Sequence, residues 1–404
     1  MSEEKQEEVA RWGDSTAAVH AGTARPYCQH SLTLPVYQTA TYTFEDTQDL
    51  KEFMDARMWG LQEGRIEYGR YGNPTIAAVE SKLAALERAE EAILFSSGMA
   101  AITSTLLTML SSGDHLILTD DCYRRTRQFC HSYLKRMNID VSIVPAGNFS
   151  SIESAVSANT KLILSELPTN PYLRVVDLEK LVDIGSKNGI RTAIDSTFAT
   201  PINLRPFEIG VDFVFHSATK YLGGHNDLLA GVCVGSASLL AMVRQNQWMM
   251  GAVSDPHTAY LLDRGLKTLA LRVRHHNAAA QAISEFLNDH PRVERVWYPG
   301  LNTHPDHEVA ARQMSGFGGV VSFEIRGDLE NAARCIDAVE LPIIAPSLGG
   351  AETLIEQPAL MSYFELSTEE RMELGIKDNL VRLSIGLEDP QDLIDDLDQA
   401  LKAL

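Results

Sequence analysis

Lys220 stands where a short apolar segment ends, in the stretch FVFHSATKYLGG over residues 213–224. A lysine amine is a weak nucleophile while it is protonated. It becomes reactive where desolvation and neighbouring cations lower its pKa. At the end of a strand in an enclosed site, Lys220 could therefore form a Schiff base with an aldehyde. An exposed lysine at a strand end would give the same local pattern, so the interpretation depends on the other residues of the site.

Several other side chains fit one aldehyde cofactor. Asp195 ends the segment AID and could keep a heterocyclic nitrogen protonated, and Tyr123 could stack on a ring. Donors for a phosphate group are available at Ser97, Gly98, Met99, Ser217 and Thr219. A lysine, a carboxylate, an anion cup and an aromatic ring are together what pyridoxal phosphate requires. The sequence therefore predicts a pyridoxal-phosphate site, and no metal.

Each of these residues also has a simpler explanation. Asp195 could cap a helix, because Asp-Ser-Thr is common at helix starts. Tyr123 could be a half-buried packing aromatic. The Ser-Ser-Gly of FSSGMAA, residues 95–101, could be a plain turn between a strand and a helix. The order in which all of these features follow one another favours the cofactor site.

The surrounding chain alternates between apolar segments and helical patterns. Strands are predicted near residues 92–95, 115–119, 141–144 and 161–164, with helices between them. Such alternation is typical of a mostly parallel sheet covered on both faces, in which ligands lie beyond the carboxyl ends of the strands. Four candidate residues follow predicted strands in this way: Ser97, Asn170, Asp195 and Lys220.

Helix signals organise the rest of the chain. Asn73 and Pro74 should cap a helix that follows the glycine-rich loop with Tyr68 and Arg70. Apolar spacing predicts one long helix over residues 259–287, and Asp389 with Pro390 should begin the last helix. Residues 1–62 lack a long regular pattern. We predict an N-terminal arm (1–62), a large domain (63–256) and a C-terminal domain (257–404).

Composition limits the possible partners. The chain has 404 residues and a formal net charge of −19, which repels nucleic acid and anionic membranes. Its five cysteines have neither zinc-ligand spacing nor the pattern of a small disulfide framework, which indicates reduced thiols in a cytosol. The first eight residues are acidic and polar, unlike a secretory signal. We expect a cytoplasmic protein that acts on small molecules.

Seven motifs together resemble one known family. EYGRYGNP, FSSGMAA, ELPTNP, AIDSTFATP, HSATKYLGGH, SLGGAETL and DNLVRLSIGLED look like the Cys/Met-metabolism family of pyridoxal-phosphate enzymes, from about residue 15 to the C-terminus. The resemblance implies the large aspartate-aminotransferase fold, fold type I. It also implies a smaller α+β C-terminal domain and a tetramer built from two tight dimers.

The resemblance also implies a role for each candidate residue. Lys220 would hold the cofactor and later move protons, Asp195 would pair with the pyridine nitrogen, and Tyr123 would stack on the ring. Arg382 would bind the substrate α-carboxylate, where a bidentate guanidinium suits the geometry. The remaining residues would cup the phosphate (Ser97, Gly98, Met99, Ser217, Thr219), lie beside the carboxylate or cofactor (Asn170, Ser347) or reach the neighbouring subunit's phosphate (Tyr68, Arg70).

Departures from the common family pattern favour one branch. Arg124 and Arg125 replace two glycines after Tyr123, and Ser362 with Tyr363 replaces a Thr-His pair. These features are most similar to the plant-type cystathionine γ-synthase branch, which joins an O-activated homoserine to cysteine. Glu352 could then hold the amino group of cysteine, or it could be a solvated loop acid.

Alternative activities stay open. A γ-lyase, a direct sulfhydrylase or an enzyme that adds a carbon nucleophile would use the same residues. A nicotinamide dehydrogenase would need a G-x-G-x-x-G turn after a strand, and none stands in that context. A non-catalytic relative would be expected to lose Lys220 or Asp195, and both are present.

Overall fold

The larger of the two sheets has seven strands, which lie within residues 91–235. The computed structural model describes residues 12–23, 25–60 and 64–404, so the predicted N-terminal segment 1–8 and the predicted boundary at residue 62 lie outside it. The strand order is β1-β7-β6-β5-β4-β2-β3. The strands are β1 (Glu91–Phe95), β2 (His115–Thr119), β3 (Asp140–Val144), β4 (Thr160–Glu166), β5 (Arg191–Asp195), β6 (Phe213–Ser217) and β7 (Gly231–Gly235).

The prediction of a mostly parallel α/β sheet is confirmed. Strands β2 to β6 pair in parallel, and only β7 runs antiparallel to its neighbours β1 and β6. Every residue of β2 and of β7 is buried. Strands covered on both faces need apolar side chains throughout. That requirement explains why these strands are continuous apolar runs in the sequence.

A second, five-stranded sheet lies in the C-terminal part, with the order β10-β11-β12-β9-β8. Its strands are antiparallel except for the parallel pair β10–β11. They are β8 (Val293–Trp297), β9 (Val320–Ile325), β10 (Ile343–Ile344), β11 (Leu354–Glu356) and β12 (Leu380–Ser384). The division of the chain at residue 256 stays a prediction.

Helices cover both sheets. Up to β7 they are α1 (Asp14–His20), α2 (Thr47–Met58), α3 (Pro74–Glu87), α4 (Gly98–Met109), α5 (Arg124–Phe129), α6 (Phe149–Ala155), α7 (Leu178–Asn188), α8 (Thr200–Asn203) and α9 (Pro206–Ile209). After β7 they are α10 (Ala237–Met250), α11 (Pro256–Leu266), α12 (Leu269–Asp289), α13 (His307–Gln313), α14 (Leu329–Ala338), α15 (Thr368–Glu373) and α16 (Pro390–Lys402). Among the described residues, no helix is long and apolar enough to span a membrane.

The predicted caps are confirmed. The Asn73 side chain accepts hydrogen bonds from the backbone N–H groups of Thr75 and Ile76, and Asp389 accepts from Gln391 N–H. Each cap satisfies N–H groups that have no partner inside the first turn.

The single helix predicted over residues 259–287 is wrong. The structure has two helices, α11 and α12, which are separated at Lys267 and Thr268. The buried Arg272 guanidinium donates to the carbonyl of Gly265 at 2.8 Å. The same carbonyl also accepts from the backbone N–H of Thr268 at 3.2 Å, so a carbonyl at the end of α11 keeps hydrogen bonds across the break. Apolar spacing continues across the break, and therefore the spacing could not show it.

The N-terminal arm contains a helix that the sequence did not predict. Asp46 caps α2 by accepting from Gln48 and Asp49 N–H groups. Among the residues of α2, only Phe53 is buried. Its other large apolar residues, Leu50, Met54 and Met58, have helical spacing with Phe53 but are exposed, so the helix contributes little to the core.

Candidate active site

Parallel strand register brings the candidate residues to one edge of the large sheet. Glu166 at the end of β4 lies opposite Asp195 at the end of β5, and Asp195 lies opposite Phe215 in β6. One turn beyond β6, the Lys220 N–H donates to the Ser217 carbonyl at 3.1 Å. Lys220 is therefore placed by the turn SATK at the carboxyl ends of the parallel strands, as the sequence predicts.

The Lys220 amine faces the C-terminal part of the chain. Its Nζ donates to Ser347 Oγ at 2.5 Å. Burial, together with the positive charge of Arg382, lowers the pKa of Lys220 to about 8, against the opposing effect of Glu356. A sizeable fraction of the amine is therefore neutral near pH 8, which is the form able to attack an aldehyde.

Asp195 is held by one threonine. Thr197 donates to Asp195 Oδ1 through its backbone N–H at 3.1 Å and through its hydroxyl at 2.6 Å. Burial raises the pKa of Asp195, while the Thr197 bonds and the nearby His216 oppose that increase. Both bonds end on Oδ1, so Oδ2 is the oxygen available to a ring nitrogen.

Thr197 also links Asp195 to the lysine turn, because its hydroxyl accepts from the backbone N–H of Ser217 at 2.8 Å. The sequence analysis did not single out Thr197. The sequence feature that could have identified Thr197 is its position two residues after Asp195, where a short hydroxyl side chain commonly folds back onto a carboxylate.

The predicted phosphate donors lie on segments that touch. Ser97 caps α4 by accepting from Ala100 N–H at 3.1 Å, and the first N–H groups of a helix have no intrahelical acceptor. A Cβ on Gly98 would lie 3.1 Å from Ser217 Cβ. One on Gly231 would lie 2.1 Å from the Ser97 carbonyl oxygen. These glycines let the start of α4 contact both β6 and β7 closely.

The other predicted phosphate ligands border this region. The Thr219 hydroxyl exchanges hydrogen bonds with the backbone of Ala230, at 3.2 and 3.4 Å. Met99 Sδ accepts from Thr126 Oγ1 at 3.6 Å, which connects α4 to α5. Ser217 and Gly98 already lie against each other. The structure thus groups the predicted phosphate residues around the start of α4.

Tyr123 stands at the start of α5 with about half of its surface exposed, 48%. Its backbone N–H donates to Glu166 Oε2 at 2.7 Å. Burial, and after it the neighbouring Asp195 charge, raises the pKa of Glu166 well above its usual value. Of these two neighbouring carboxylates, Glu166 has the more strongly raised pKa, so it holds a proton more readily than Asp195 does. Sequence analysis passed over Glu166, although it begins the motif ELPTNP.

A second cluster surrounds Arg382. Its Nη1 donates to Asn170 Oδ1 at 2.9 Å, and its Nη2 donates to the Ser347 carbonyl at 2.9 Å. Ser347 adopts a φ of 89°, which is unusual for a non-glycine residue. In that conformation its hydroxyl meets Lys220 while its carbonyl meets Arg382. Glu356, a further residue that the sequence analysis missed, lies 3.1 Å from Arg382 Nη2.

Asn226, Leu229 and Ser347 line a cavity of about 490 Å³, and Glu352 is linked to it through its contact with Asn226. The exposed Glu352 carboxylate accepts from Asn226 Nδ2 at 2.9 Å. An acid beside this cavity can attract a cationic amino group, which is one of the two roles that the sequence left open for Glu352, and that role stays a prediction.

Tyr68 and Arg70 form an aromatic and cationic cluster of their own. Arg70 Nη1 donates to the Trp248 carbonyl at 2.6 Å, and its guanidinium lies 4.8 Å from the ring centre of Tyr71. Tyr68 is 42% exposed. Among the described hydrogen bonds, none joins these two residues to Lys220 or Asp195. Their predicted contact with a neighbouring subunit remains a prediction.

The two arginines after Tyr123 make surface contacts. Arg124 lies 3.1 Å from the exposed Glu365 carboxylate, and Arg125 donates to Gln128 one turn further along α5. Such exposed pairs contribute little to stability.

The arrangement fits pyridoxal phosphate. The close approach of Gly98 to Ser217 leaves a helix start at the strand ends, where a phosphate is favoured. Lys220 has a lowered pKa, and Asp195 has an oxygen available to the ring. Tyr123 would flank the ring. Lys220, Ser347, Arg382 and Asn170 form one hydrogen-bonded chain beside it.

Comparisons with known proteins agree with this chemistry. A family model described as "Cys/Met metabolism PLP-dependent enzyme" matches residues 15–402. Cystathionine gamma-synthase 1, chloroplastic, of Arabidopsis thaliana is 46% identical over 97% of this chain and 69% of its own length. L-methionine gamma-lyase of Fusobacterium nucleatum subsp. polymorphum is 41% identical over 98% of this chain and 100% of its own.

A solved structure extends the likeness to the fold. The crystal structure of metB from Corynebacterium glutamicum has a TM-score of 0.90 and 37% identity, and covers 98% of this chain and 99% of that one. This likeness and the mixed sheet agree with the fold type I expected from the sequence. The chain therefore belongs to the Cys/Met metabolism family of pyridoxal-phosphate-dependent enzymes.

Proposed function

We propose that this enzyme carries out γ-replacement on an O-activated homoserine, with cysteine as the nucleophile and cystathionine as the product. The observation that carries the proposal is the 46% identity, over 97% of the chain, to a protein named as a cystathionine gamma-synthase. The positions of Lys220, Ser347 and Arg382 support a site for an α-amino acid, because Ser347 joins the amine to the carboxylate-binding arginine.

Lys220 is the residue proposed to move protons. When bound, pyridoxal phosphate supplies an electron sink for the charge that develops at the substrate carbon. The Lys220 amine is the base proposed to accept the proton at that carbon and to return it. Its lowered pKa suits it to accept a proton at neutral to mildly alkaline pH. Ser347 Oγ, at 2.5 Å from Nζ, keeps the amine directed toward the substrate side.

Arg382 is proposed to orient the substrate through its α-carboxylate. The guanidinium donates hydrogen bonds of 2.9 Å to two uncharged acceptors, Asn170 Oδ1 and the Ser347 carbonyl, which fix its plane. A fixed planar guanidinium binds a carboxylate with two parallel hydrogen bonds and so fixes its direction. The α-carbon is then held beside Lys220, because Ser347 contacts both residues.

The second substrate is proposed to enter through the cavity lined by Asn226, the residue that contacts Glu352. Cysteine carries a cationic amino group at neutral pH, and a carboxylate at the opening favours that charge. The Asn226 amide holds Glu352 in one orientation at 2.9 Å. Lys220 would then face the first substrate from one side while the thiol approaches from the cavity.

A γ-lyase activity is the second candidate. It is favoured by the 41% identity to a protein named as L-methionine gamma-lyase, which this chain matches over its full length. A lyase would use the same lysine, carboxylate and arginine. After the γ-substituent has left, water rather than a thiol would react with the rest of the substrate.

A product assay separates the candidates. Holoenzyme is supplied with O-phospho-, O-succinyl- or O-acetylhomoserine together with cysteine, and the products are followed by mass. Cystathionine is expected as the main product, and Lys220→Ala should form none. In separate reactions supplied with cystathionine or methionine alone, oxobutyrate as the main product would make the enzyme a lyase. Efficient use of sulfide with negligible use of cysteine would make it a sulfhydrylase.

We propose a cytoplasmic location for the enzyme, with a homotetramer as its working form. The sparse cysteines support the location: all five are free thiols, and four of them are buried. The Arabidopsis relative is named as chloroplastic.

A further inference from the structure

Glu356 pairs with Arg382 because of strand register. The two residues are direct partners across the antiparallel strands β11 and β12. Directly opposite residues project from the same face of a sheet, so the two side chains meet. Their side chains are 2% and 6% exposed, and Glu356 Oε1 lies 3.1 Å from Arg382 Nη2. The residue proposed to bind a substrate carboxylate thus already faces a buried protein carboxylate.

The contact is an ion pair without hydrogen-bond alignment. Arg382 Nη2 directs a donor to the Ser347 carbonyl, and Nη1 directs one to Asn170. Within the described part of the chain, Glu356 Oε1 and Arg382 Nε are buried atoms that have no hydrogen-bond partner. An unaligned pair is weaker than a bidentate one. The guanidinium therefore keeps donor capacity for a carboxylate that arrives with better geometry.

The charges around Glu356 are few. Arg382 and Lys220 face it, and the phenols of Tyr221 and Tyr363 lie near Arg382. Burial raises the pKa of Glu356, while Arg382 and Lys220 oppose that increase. A substrate carboxylate at Arg382 would place a second anion beside the same buried guanidinium. Like charge at short range in a buried site raises the pKa of Glu356 further.

We propose that Glu356 is the resident counter-ion of Arg382, and that it takes up one proton from solvent when a ligand carboxylate binds the guanidinium. The neutral carboxylic acid then remains beside Arg382, and the ligand is the only anion on the arginine. Glu356 is a positioning residue in this scheme, because it acts on the substrate through Arg382. The inference rests on the proposed role of Arg382 as the carboxylate-binding residue.

The affinity for the ligand carboxylate should depend on pH, because binding takes up a proton. Binding that takes up a proton weakens as the pH rises, by about tenfold per pH unit between the pKa of free and ligand-bound Glu356. Glu356→Gln has no proton to take up, so its affinity should be tighter than that of the wild type at pH 8 and nearly independent of pH.

The test is calorimetry of butyrate binding to the holoenzyme. Butyrate has a carboxylate and lacks an amine, so it does not bring the titration of a substrate amino group into the measurement. Titrations at one pH in buffers with different ionisation enthalpies give the number of protons taken up. About one proton per site is expected for the wild type and none for Glu356→Gln. Glu365→Gln, which removes an exposed acid paired with Arg124, should retain the wild-type uptake.

The outcomes separate this inference from the proposed function. If Arg382→Gln binds butyrate as tightly as the wild type, the role of Arg382 in the proposed function is wrong. If Arg382→Gln loses binding while Glu356→Gln keeps the wild-type proton uptake, the inference about Glu356 is overturned. If Glu356→Gln does not fold, the wild type and Glu356→Asp decide. Proton uptake in both supports the inference, and its absence in the wild type overturns it.

Discussion

At the scale of single residues, the environment of Lys220 determines its reactivity. Burial is the larger cause of the lowered pKa of Lys220, and the positive charge of Arg382 is the second cause. In the cofactor-free protein, the rate at which pyridoxal phosphate forms its visible absorbance band should therefore rise with pH, with a midpoint at about 8. Borohydride should then fix the cofactor on the peptide that contains Lys220.

Removing the positive charge of Arg382 should raise the pKa of Lys220. Arg382→Gln should raise the midpoint, because a neighbouring cation no longer opposes protonation of the amine. The exposed Arg125 serves as a control, and Arg125→Gln should leave the midpoint unchanged. A midpoint near the ordinary lysine value in the wild type, or cofactor fixed on another lysine, would contradict the assignment.

At the scale of secondary structure, the contact between α4 and β6 sets the proposed phosphate site. A Cβ on Gly98 would lie 3.1 Å from Ser217 Cβ and 3.2 Å from its Cα, so Ser217 would have to move by a few tenths of an ångström. Gly98→Ala should therefore weaken binding of pyridoxal phosphate about tenfold, which equals about 1.4 kcal/mol. The stability of the cofactor-free protein should change less, because alanine favours the helix by roughly the energy that the crowding costs, about 1 kcal/mol.

Equilibrium titration of the cofactor by absorbance, with thermal melting of the cofactor-free protein, measures both effects. Gly13→Ala is the matched control, since its Cβ would meet nothing within 4 Å. If Gly98→Ala binds pyridoxal phosphate as the wild type does, while the melting temperature falls, the contact serves stability rather than the phosphate site.

At the scale of the whole molecule, the question is whether two subunits share a site. Arg70 and Tyr68 are predicted to complete a neighbouring subunit's site, where Lys220 lies. Inactive Arg70→Ala and Lys220→Ala subunits, mixed in equal amounts and allowed to exchange, should regain activity. Half of the dimers would be hybrids with one intact site of two, so about one quarter of wild-type activity is the expected limit.

Each variant must first be shown to fold, because Arg70 also bonds the Trp248 carbonyl within its own chain. Melting curves of the separate variants provide that control. Exchange is followed by native mass spectrometry of differently tagged subunits. If hybrids form and activity stays at the level of the unmixed variants, the shared-site prediction is wrong.

The sequence by itself determined the chemistry of the cofactor site and the elements that carry it. Residue type limits which side chains can bind an aldehyde, a ring nitrogen or a phosphate, and strand ends are visible as apolar runs followed by polar turns. Lys220, Asp195 and the phosphate donors at the start of α4 could therefore be predicted. Local signals also placed the caps at Asn73 and Asp389, because a cap depends only on residues within one turn.

Only the tertiary structure decided the contacts between segments distant in sequence. Glu356 meets Arg382 through the register of β11 and β12, and Glu166 meets Asp195 through the register of β4 and β5. Register depends on how whole strands pair, and no local pattern of residues around Glu356 or Glu166 encodes it. The break between α11 and α12 is likewise stabilised by Arg272, a side chain from the following helix. Residue types thus define the reacting groups. The charge states of these groups depend on neighbours that only folding brings together.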